Sequence, residues 1–269
     1  MSEEPAARTS ATIEIDGLDV FYETEGTGEP LVLLHGGMAT NATWNAQFEG
    51  FAPHRRVIAP ERQAHGHTPD RDGPLSYQAM ADQTIVFLES LALAPADLVG
   101  WSDGGMIGFL IAARRPELVR SLTLVGSGFA SAGYVTGAMD EFIALPADDP
   151  EMAMFAAMYA EASPDGAEHF PAVWDKVRTM WGEPFDWSAD LENITAPVLV
   201  LIGDDDYITV PHADQLARGV PDGRLAVVPG ASHVVPMEKP DLFNRLVLDF
   251  LEHPVIETWL PLRRKGAPD

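Results

Sequence analysis

Residues 98–108 read LVGWSDGGMIG: an apolar run, one serine, four glycines and then a helix-like run. Glycine weakens strands and helices alike by roughly 0.5–1 kcal/mol relative to alanine, so this density requires a local reason. Gly100-Trp101-Ser102-Asp103-Gly104 has the spacing G-x-S-x-G between a buried-strand candidate and a helix candidate. In that context the spacing describes a sharp strand-to-helix turn. The turn holds the serine in strained backbone geometry and brings its neighbours too close together for a Cβ. The hydroxyl of Ser102 would then stand above the carboxyl edge of a sheet, at a helix N-terminus that favours developing negative charge. The plain alternative is a serine in a capping turn that binds nothing, and the partners of Ser102 decide between the two.

Outward from this stretch, strand-like and helix-like runs alternate. ATIEIDG and LDVFYETEG alternate polar and apolar residues around Asp16-Gly17, which predicts a hairpin. LVLLHGG from Leu31, RRVIAP from Arg55, DLVG from Asp97, SLTLVG from Ser121, PVLVLIG from Pro197 and RLAVVPG from Arg224 lack that alternation, as strands covered on both faces do. YQAMADQTIVFLESLAL from Tyr77 carries apolar residues at helical spacing, and the helix after Ser102 is expected to end at Arg115-Pro116. The expected fold class is therefore α/β: a mostly parallel central sheet of about eight strands with helices on both faces. From about Phe129 to Thr195 no strand-like run occurs. Helices around Met139 to Ala144, Pro150 to Glu161 and Ala167 to Trp181 are expected there as an inserted helical cap. Large soft side chains such as Met152, Met154, Phe155, Met158, Tyr159, Trp174, Met180 and Trp181 cluster in it. The expected organisation is a core of residues 1–128 and 196–269 interrupted by a cap of residues 129–195, with the tail PLRRKGAPD loosely held.

Composition narrows the function classes. With 269 residues, 46% hydrophobic and 22% charged, the chain is long enough for one large core. Its 17 basic and 41 acidic residues give a formal charge of −24, which repels nucleic acid and anionic membranes. It has no cysteine, which excludes disulfides, thiolate metal sites and a cysteine nucleophile. No run of 18 apolar residues and no leader pattern is visible, so the expectation is a cytoplasmic protein acting on a small molecule as a monomer or homodimer.

A serine hydroxyl is a weak nucleophile at neutral pH and needs a base, which itself needs an orienting carboxylate. His233, in PGASHVVP after the last apolar strand, can reach the top of the sheet. Asp204, Asp205 and Asp206 lie just past the carboxyl end of the strand before it, and the three mutually repelling acids imply at least one with a partner. The order serine, acid, histidine is the one that this strand-turn-helix arrangement uses. His35-Gly36-Gly37-Met38 ends another strand, where glycines let backbone N–H groups face a bound oxyanion; one such donor is worth roughly 2.7–4 kcal/mol.

Together HGG at 35–37, PERQAHGHTPD at 60–70, GWSDGG at 100–105, GDDD at 203–206 and PGASHVVPMEKP at 229–240 resemble the α/β-hydrolase family from about Gly17 to Leu251. The resemblance implies Ser102 as nucleophile, His233 as general base and then acid, and Asp206, last of the G-x-x-D pattern, as the acid, with Asp204 and Asp205 as the neighbouring alternatives. It implies an oxyanion hole from the N–H groups of Gly37, Met38 and Asp103, and no metal or organic cofactor. GWSDGG and VPHADQLA are most similar to the biphenyl hydrolase-like and valacyclovir hydrolase subgroup, which implies substrate contacts by Trp101 and by Asp103, the latter to an amino group. Where the family loop carries acid-arginine-glycine, this chain has Glu61-Arg62-Gln63-Ala64. His65 and His67 in that loop, with no acid or cysteine expected beside them, read as structural. The expected activity is ester hydrolysis of a small, largely apolar substrate through an acyl-enzyme. Lactone or carbon–carbon hydrolysis by the same groups, and ligand-dependent signalling, are the rivals.

Overall fold

The computed structural model describes residues 7–253, so the expectation for the tail PLRRKGAPD lies outside the described residues. Thr9–Ile15 (β1) and Leu18–Glu25 (β2) form the hairpin, with Asp16 and Gly17 at φ 51° and 76° in its turn. Then follow Pro30–Leu34 (β3), Arg56–Pro60 (β4), Ala96–Trp101 (β5), Val119–Val125 (β6), Val198–Asp205 (β7) and Gly223–Ser232 (β8). The eight strands make one sheet in the order β1-β2-β4-β3-β5-β6-β7-β8. β1–β2 and β2–β4 pair antiparallel and the remaining neighbours pair parallel.

Nine α-helices are described: Asn45–Phe51 (α1), Tyr77–Ser90 (α2), Asp103–Arg114 (α3), Ala138–Ile143 (α4), Ala153–Ala162 (α5), Phe170–Gly182 (α6), Val210–Gly219 (α7), Val235–Glu238 (α8) and Pro240–Glu252 (α9). Successive residues of a strand face opposite sides. Val32, Leu34 and Leu98 accordingly join the cluster containing Phe87 of α2, Ile107 of α3 and Leu216 of α7. Leu31, Leu33 and Val99 join the cluster containing Phe48 of α1 and Phe243 of α9. Both faces are covered, which is why these strands read as unbroken apolar runs. Helices α1 and α8 escape periodicity analysis because neither fills the window of 11 or more residues that a 3.6-residue repeat needs. Among the described residues no helix is long and apolar enough to cross a membrane.

Between β6 and β7 the chain makes α4, α5 and α6 and adds no strand to the sheet. The two ends of this segment are tied together. Ala130 bridges Asp186, the N–H of Trp187 donates to Phe129 O at 2.8 Å, and the N–H of Ser131 donates to Phe185 O at 2.9 Å. Asp70 fastens the α6 end to the loop after β4, accepting from Lys176 Nζ at 2.6 Å and His169 Nε2 at 2.9 Å.

Candidate active site

Ser102 sits between β5 and α3 at φ 53° and ψ −122°, a conformation costing about 1–3 kcal/mol that the surroundings must over-determine. Its N–H donates to Val125 O at 2.8 Å, and its carbonyl accepts from Ser127 Oγ at 2.9 Å. The glycines flanking it are required by close approach. A Cβ on Gly104 would strike the carbonyl oxygen of Leu34, and one on Gly100 the carbonyl oxygen of Gly104. Helix α3 is thereby pressed onto the sheet, with every residue from Asp103 to Ala112 buried.

The pairing of β7 with β8 sets the next two residues. Asp205 is in register with Ser232, so the residues that follow, Asp206 and His233, leave the sheet side by side. His233 Nδ1 lies 3.0 Å from Asp206 Oδ1, and the Asp206 side chain is fully buried. Because Nδ1 faces a carboxylate it carries the proton, which leaves the Nε2 lone pair as the basic site of the neutral ring. Nε2 is buried and, among the described residues, has no hydrogen-bond partner. Asp206 Oδ1 also accepts from the N–H of Ile208 at 3.0 Å. Asp204 is spent elsewhere, taking the N–H groups of Gly230 at 2.7 Å and Ala231 at 3.3 Å, while Asp205 is exposed.

Gly126 and Tyr207 beside this pair, and Arg62 under the loop after β3, receive no role from the sequence. Gly126, at φ 55° just after β6, leaves the space that the histidine and carboxylate fill. A Cβ there would lie 2.8 Å from His233 Nδ1 and 3.0 Å from Asp206 Oδ2. Its signal was present as the glycine ending the apolar run SLTLVG. Tyr207 packs against His233, with ring centroids 3.9 Å apart and the planes tilted by 31°. Burial and the neighbouring Tyr134 push its phenol well above the usual range, against a hydrogen bond with Ser102, so it stays protonated beside the nucleophile candidate. Arg62 lies buried under the loop after β3.

In that loop Met38 has φ 55°, and Gly37 packs so tightly that a Cβ would lie 2.5 Å from Asp103 Oδ2. The two groups of proposed oxyanion donors therefore adjoin. Among the described residues no hydrogen bond uses the N–H of Gly37, Met38 or Asp103. The Asp103 carboxylate does not cap α3. It accepts from Tyr77 OH at 2.8 Å and from Trp181 Nε1 of α6 at 3.0 Å, which ties the inserted helices to the elbow. Burial raises its pKa, opposed by Arg62 and by the Trp181 and Tyr77 hydrogen bonds. Trp101 is not among the residues lining the cavity beside Ser102. Its indole packs on Gly36 and donates to His233 O at 2.8 Å, so it holds the histidine loop.

That cavity, of about 340 Å³, contains Ser102 and Asp103 in its wall. Its lining is mixed, with Val135, Met139, Ile143, Trp181 and Phe185 beside polar groups. Tyr77, Tyr134 and Tyr207 bring hydroxyls, Asp103, Asp140 and Glu183 bring carboxylates, and no lysine, arginine or histidine lines it. Of the large cap residues named from the sequence only Trp181 reaches it, whereas Met152, Tyr159, Trp174 and Met180 are buried in the core cluster and Met154 is exposed. A correction concerns His67, which does have an acid beside it. Its Nδ1 lies 2.9 Å from Glu61 Oε2, because the backbone folds Glu61 under Gly66 and His67. Burial drives His65 down to about 3. Among the described residues no group of three or more His, Asp or Glu side chains is placed to hold a metal ion.

A family model described as "Alpha/beta hydrolase family" matches residues 31–246. Serine hydrolase BPHL of Mus musculus is 27% identical over 267 residues, covering 91% of this chain and 87% of that protein. The 2-hydroxymuconate semialdehyde hydrolase of Pseudomonas sp. (strain CF600) is 29% identical over 262 residues, covering 87% and 91%. Among solved structures, the enol-lactonase of Burkholderia xenovorans LB400 superposes with a TM-score of 0.73 at 21% identity, covering 90% and 100%, a likeness of fold alone.

Proposed function

The chain belongs to the alpha/beta hydrolase family, and from that premise we propose that it hydrolyses small carboxylic esters through an acyl-enzyme on Ser102. The observation that carries the reading is the Asp206–His233 pair, its Nε2 without a hydrogen-bond partner among the described residues, standing at the same sheet end as the strained Ser102. His233 takes the hydroxyl proton as Ser102 Oγ attacks the carbonyl carbon. The oxyanion is met by the N–H groups of Gly37, Met38 and Asp103. On collapse His233 returns the proton to the leaving alcohol, and a water molecule then repeats the sequence on the acyl group. Asp206 keeps the ring in the required tautomer and stabilises the imidazolium.

The cavity lining supports a substrate that is neutral or cationic near the reacting carbonyl, since an anion would meet the carboxylates of Asp103, Asp140 and Glu183, of which Arg62 and His233 offset Asp103 in part. Because Trp181 and Tyr77 already occupy Asp103, selection for a substrate amine rests on the summed charge of the cavity rather than on Asp103 alone. The second reading is lactone or carbon–carbon hydrolysis by the same groups; one relative is a 2-hydroxymuconate semialdehyde hydrolase.

The test is stoichiometric labelling by a fluorophosphonate together with turnover of a panel of esters, lactones and amides, each ester as charged and isosteric neutral pairs. Ser102→Ala should abolish labelling and cut turnover by roughly 10⁴–10⁶-fold. Sustained ester turnover by that variant would sink the proposal, and equal rates for an amino-acid ester and its uncharged isostere would remove the charge preference.

A further inference from the structure

Arg62 takes no part in the chemistry above, yet it is a cation only 2% exposed, placed directly behind the loop that would supply the oxyanion donors. Its guanidinium donates to His35 O at 2.5 Å and to Gly36 O at 3.0 Å. His35 Nδ1 donates to the same Gly36 oxygen at 2.7 Å, while its Nε2 faces the backbone N–H of Arg62 at 3.3 Å and so accepts. That assignment needs a neutral ring, and burial together with the charge of Arg62 keeps His35 far below its ordinary pKa. The Gly36 carbonyl thus receives two donors, one of them charged. Gly36 O and the N–H of Gly37 belong to one planar trans unit, so fixing the oxygen on one side fixes the N–H pointing to the other. A carbonyl that accepts strongly also makes the N–H of its own peptide a better donor.

We propose that Arg62 is a positioning residue that orients and polarises the Gly37 N–H toward the oxyanion formed at Ser102. The proposal rests on the reading of Ser102 as nucleophile. Burial lowers the Arg62 pKa to about 10, against the opposing effect of Asp103, so the charge persists through the neutral range.

The experiment compares Arg62→Met and Arg62→Lys with wild type in kcat, KM, the inhibition constant of a trifluoromethyl ketone and thermal unfolding. That ketone accepts the serine oxygen at its carbonyl carbon, leaving an oxyanion on the inhibitor and the serine proton on His233. Arg62→Met should lose roughly 10²–10³-fold in kcat, the size of one lost oxyanion donor, with KM within about threefold. Its ketone affinity should fall by the same factor as kcat/KM. Arg62→Lys, which keeps the charge but not the two-pronged fork, should recover part of both, and it carries the test if the Met variant does not fold. Folded variants with ketone affinity unchanged would overturn the role of Arg62 while fluorophosphonate labelling of wild type still upheld Ser102. Failure of wild type to label would overturn the Ser102 reading and this proposal with it.

Discussion

Gly126→Ala tests the arrangement at a residue that touches no substrate. The residue has φ 55°, where an L side chain costs roughly 1–2 kcal/mol, and a Cβ there lies 2.8 Å from His233 Nδ1 and 3.0 Å from Asp206 Oδ2. An ordinary contact needs about 0.5 Å more, so the methyl group wedges between base and carboxylate and stretches a 3.0 Å hydrogen bond past about 3.5 Å, where it no longer counts as one. A misplacement of about 1 Å costs roughly 10² in rate, and loss of the oriented tautomer roughly 10⁴. The expected fall in kcat therefore lies between about 10²- and 10⁴-fold. Stability falls far less: 1–2 kcal/mol corresponds to a Tm about 2–8 °C lower, which leaves a domain of ordinary stability almost wholly folded at 25 °C. The assay is p-nitrophenyl acetate turnover at 25 °C beside a thermal melt of the same preparation. A kcat within threefold of wild type, with the Tm shift present, would refute the claim that the Asp206–His233 contact drives the chemistry.

The aspartate run separates by the same logic. Asp206→Asn should lower kcat by roughly 10⁴-fold with little loss of stability, whereas Asp204→Asn should leave kcat near wild type and cost about 1 kcal/mol in urea unfolding, through its weakened bonds to Gly230 and Ala231; the opposite pattern would reassign the acid. Asp70→Asn should loosen the attachment of α6 by about 1–3 kcal/mol at pH 7. Burial alone would raise the Asp70 pKa, but the bonds from Lys176, His169 and Gln63 outweigh it and hold the pKa below its ordinary value. Its contribution is therefore complete above the unfolded carboxylate value of about 3.9 and is lost as pH falls through the lower folded value. The gap in unfolding free energy between wild type and Asp70→Asn, measured by urea titration, should be present from pH 7 to 5 and close below about pH 4.

What could be read in the chain and what could not divide along the range of the interactions. Residues 98–108 place a serine between strand and helix because strand character, glycine density and helical spacing are local, and the Asp16-Gly17 hairpin is legible for the same reason. The elbow geometry follows directly, since a Cβ at Gly100 or Gly104 has nowhere to go. The three acids at 204–206 could not be told apart locally, because they differ only in which way each leaves β7, and that depends on the register Asp205↔Ser232 with a strand formed by a later segment. The acid beside His67 was missed because a turn, not sequence distance, brings Glu61 under it.

The sequence by itself determined the order of strands and helices along the chain, the serine at the strand-to-helix turn, and the set of residues from which the proposed base and acid are drawn. Only the tertiary structure decided that Asp206, the acid the resemblance implies, rather than Asp204 or Asp205, meets His233, that Trp101 supports the histidine loop, that Arg62 stands behind Gly37, and that the cavity carries carboxylates and hydroxyls among its apolar residues. The physical reason is that hydrophobic period and turn chemistry act over a few residues. The cavity wall joins Tyr77, Ser102, Tyr134, Trp181 and Tyr207, which meet only once the sheet has set its register and the inserted helices have packed across its end.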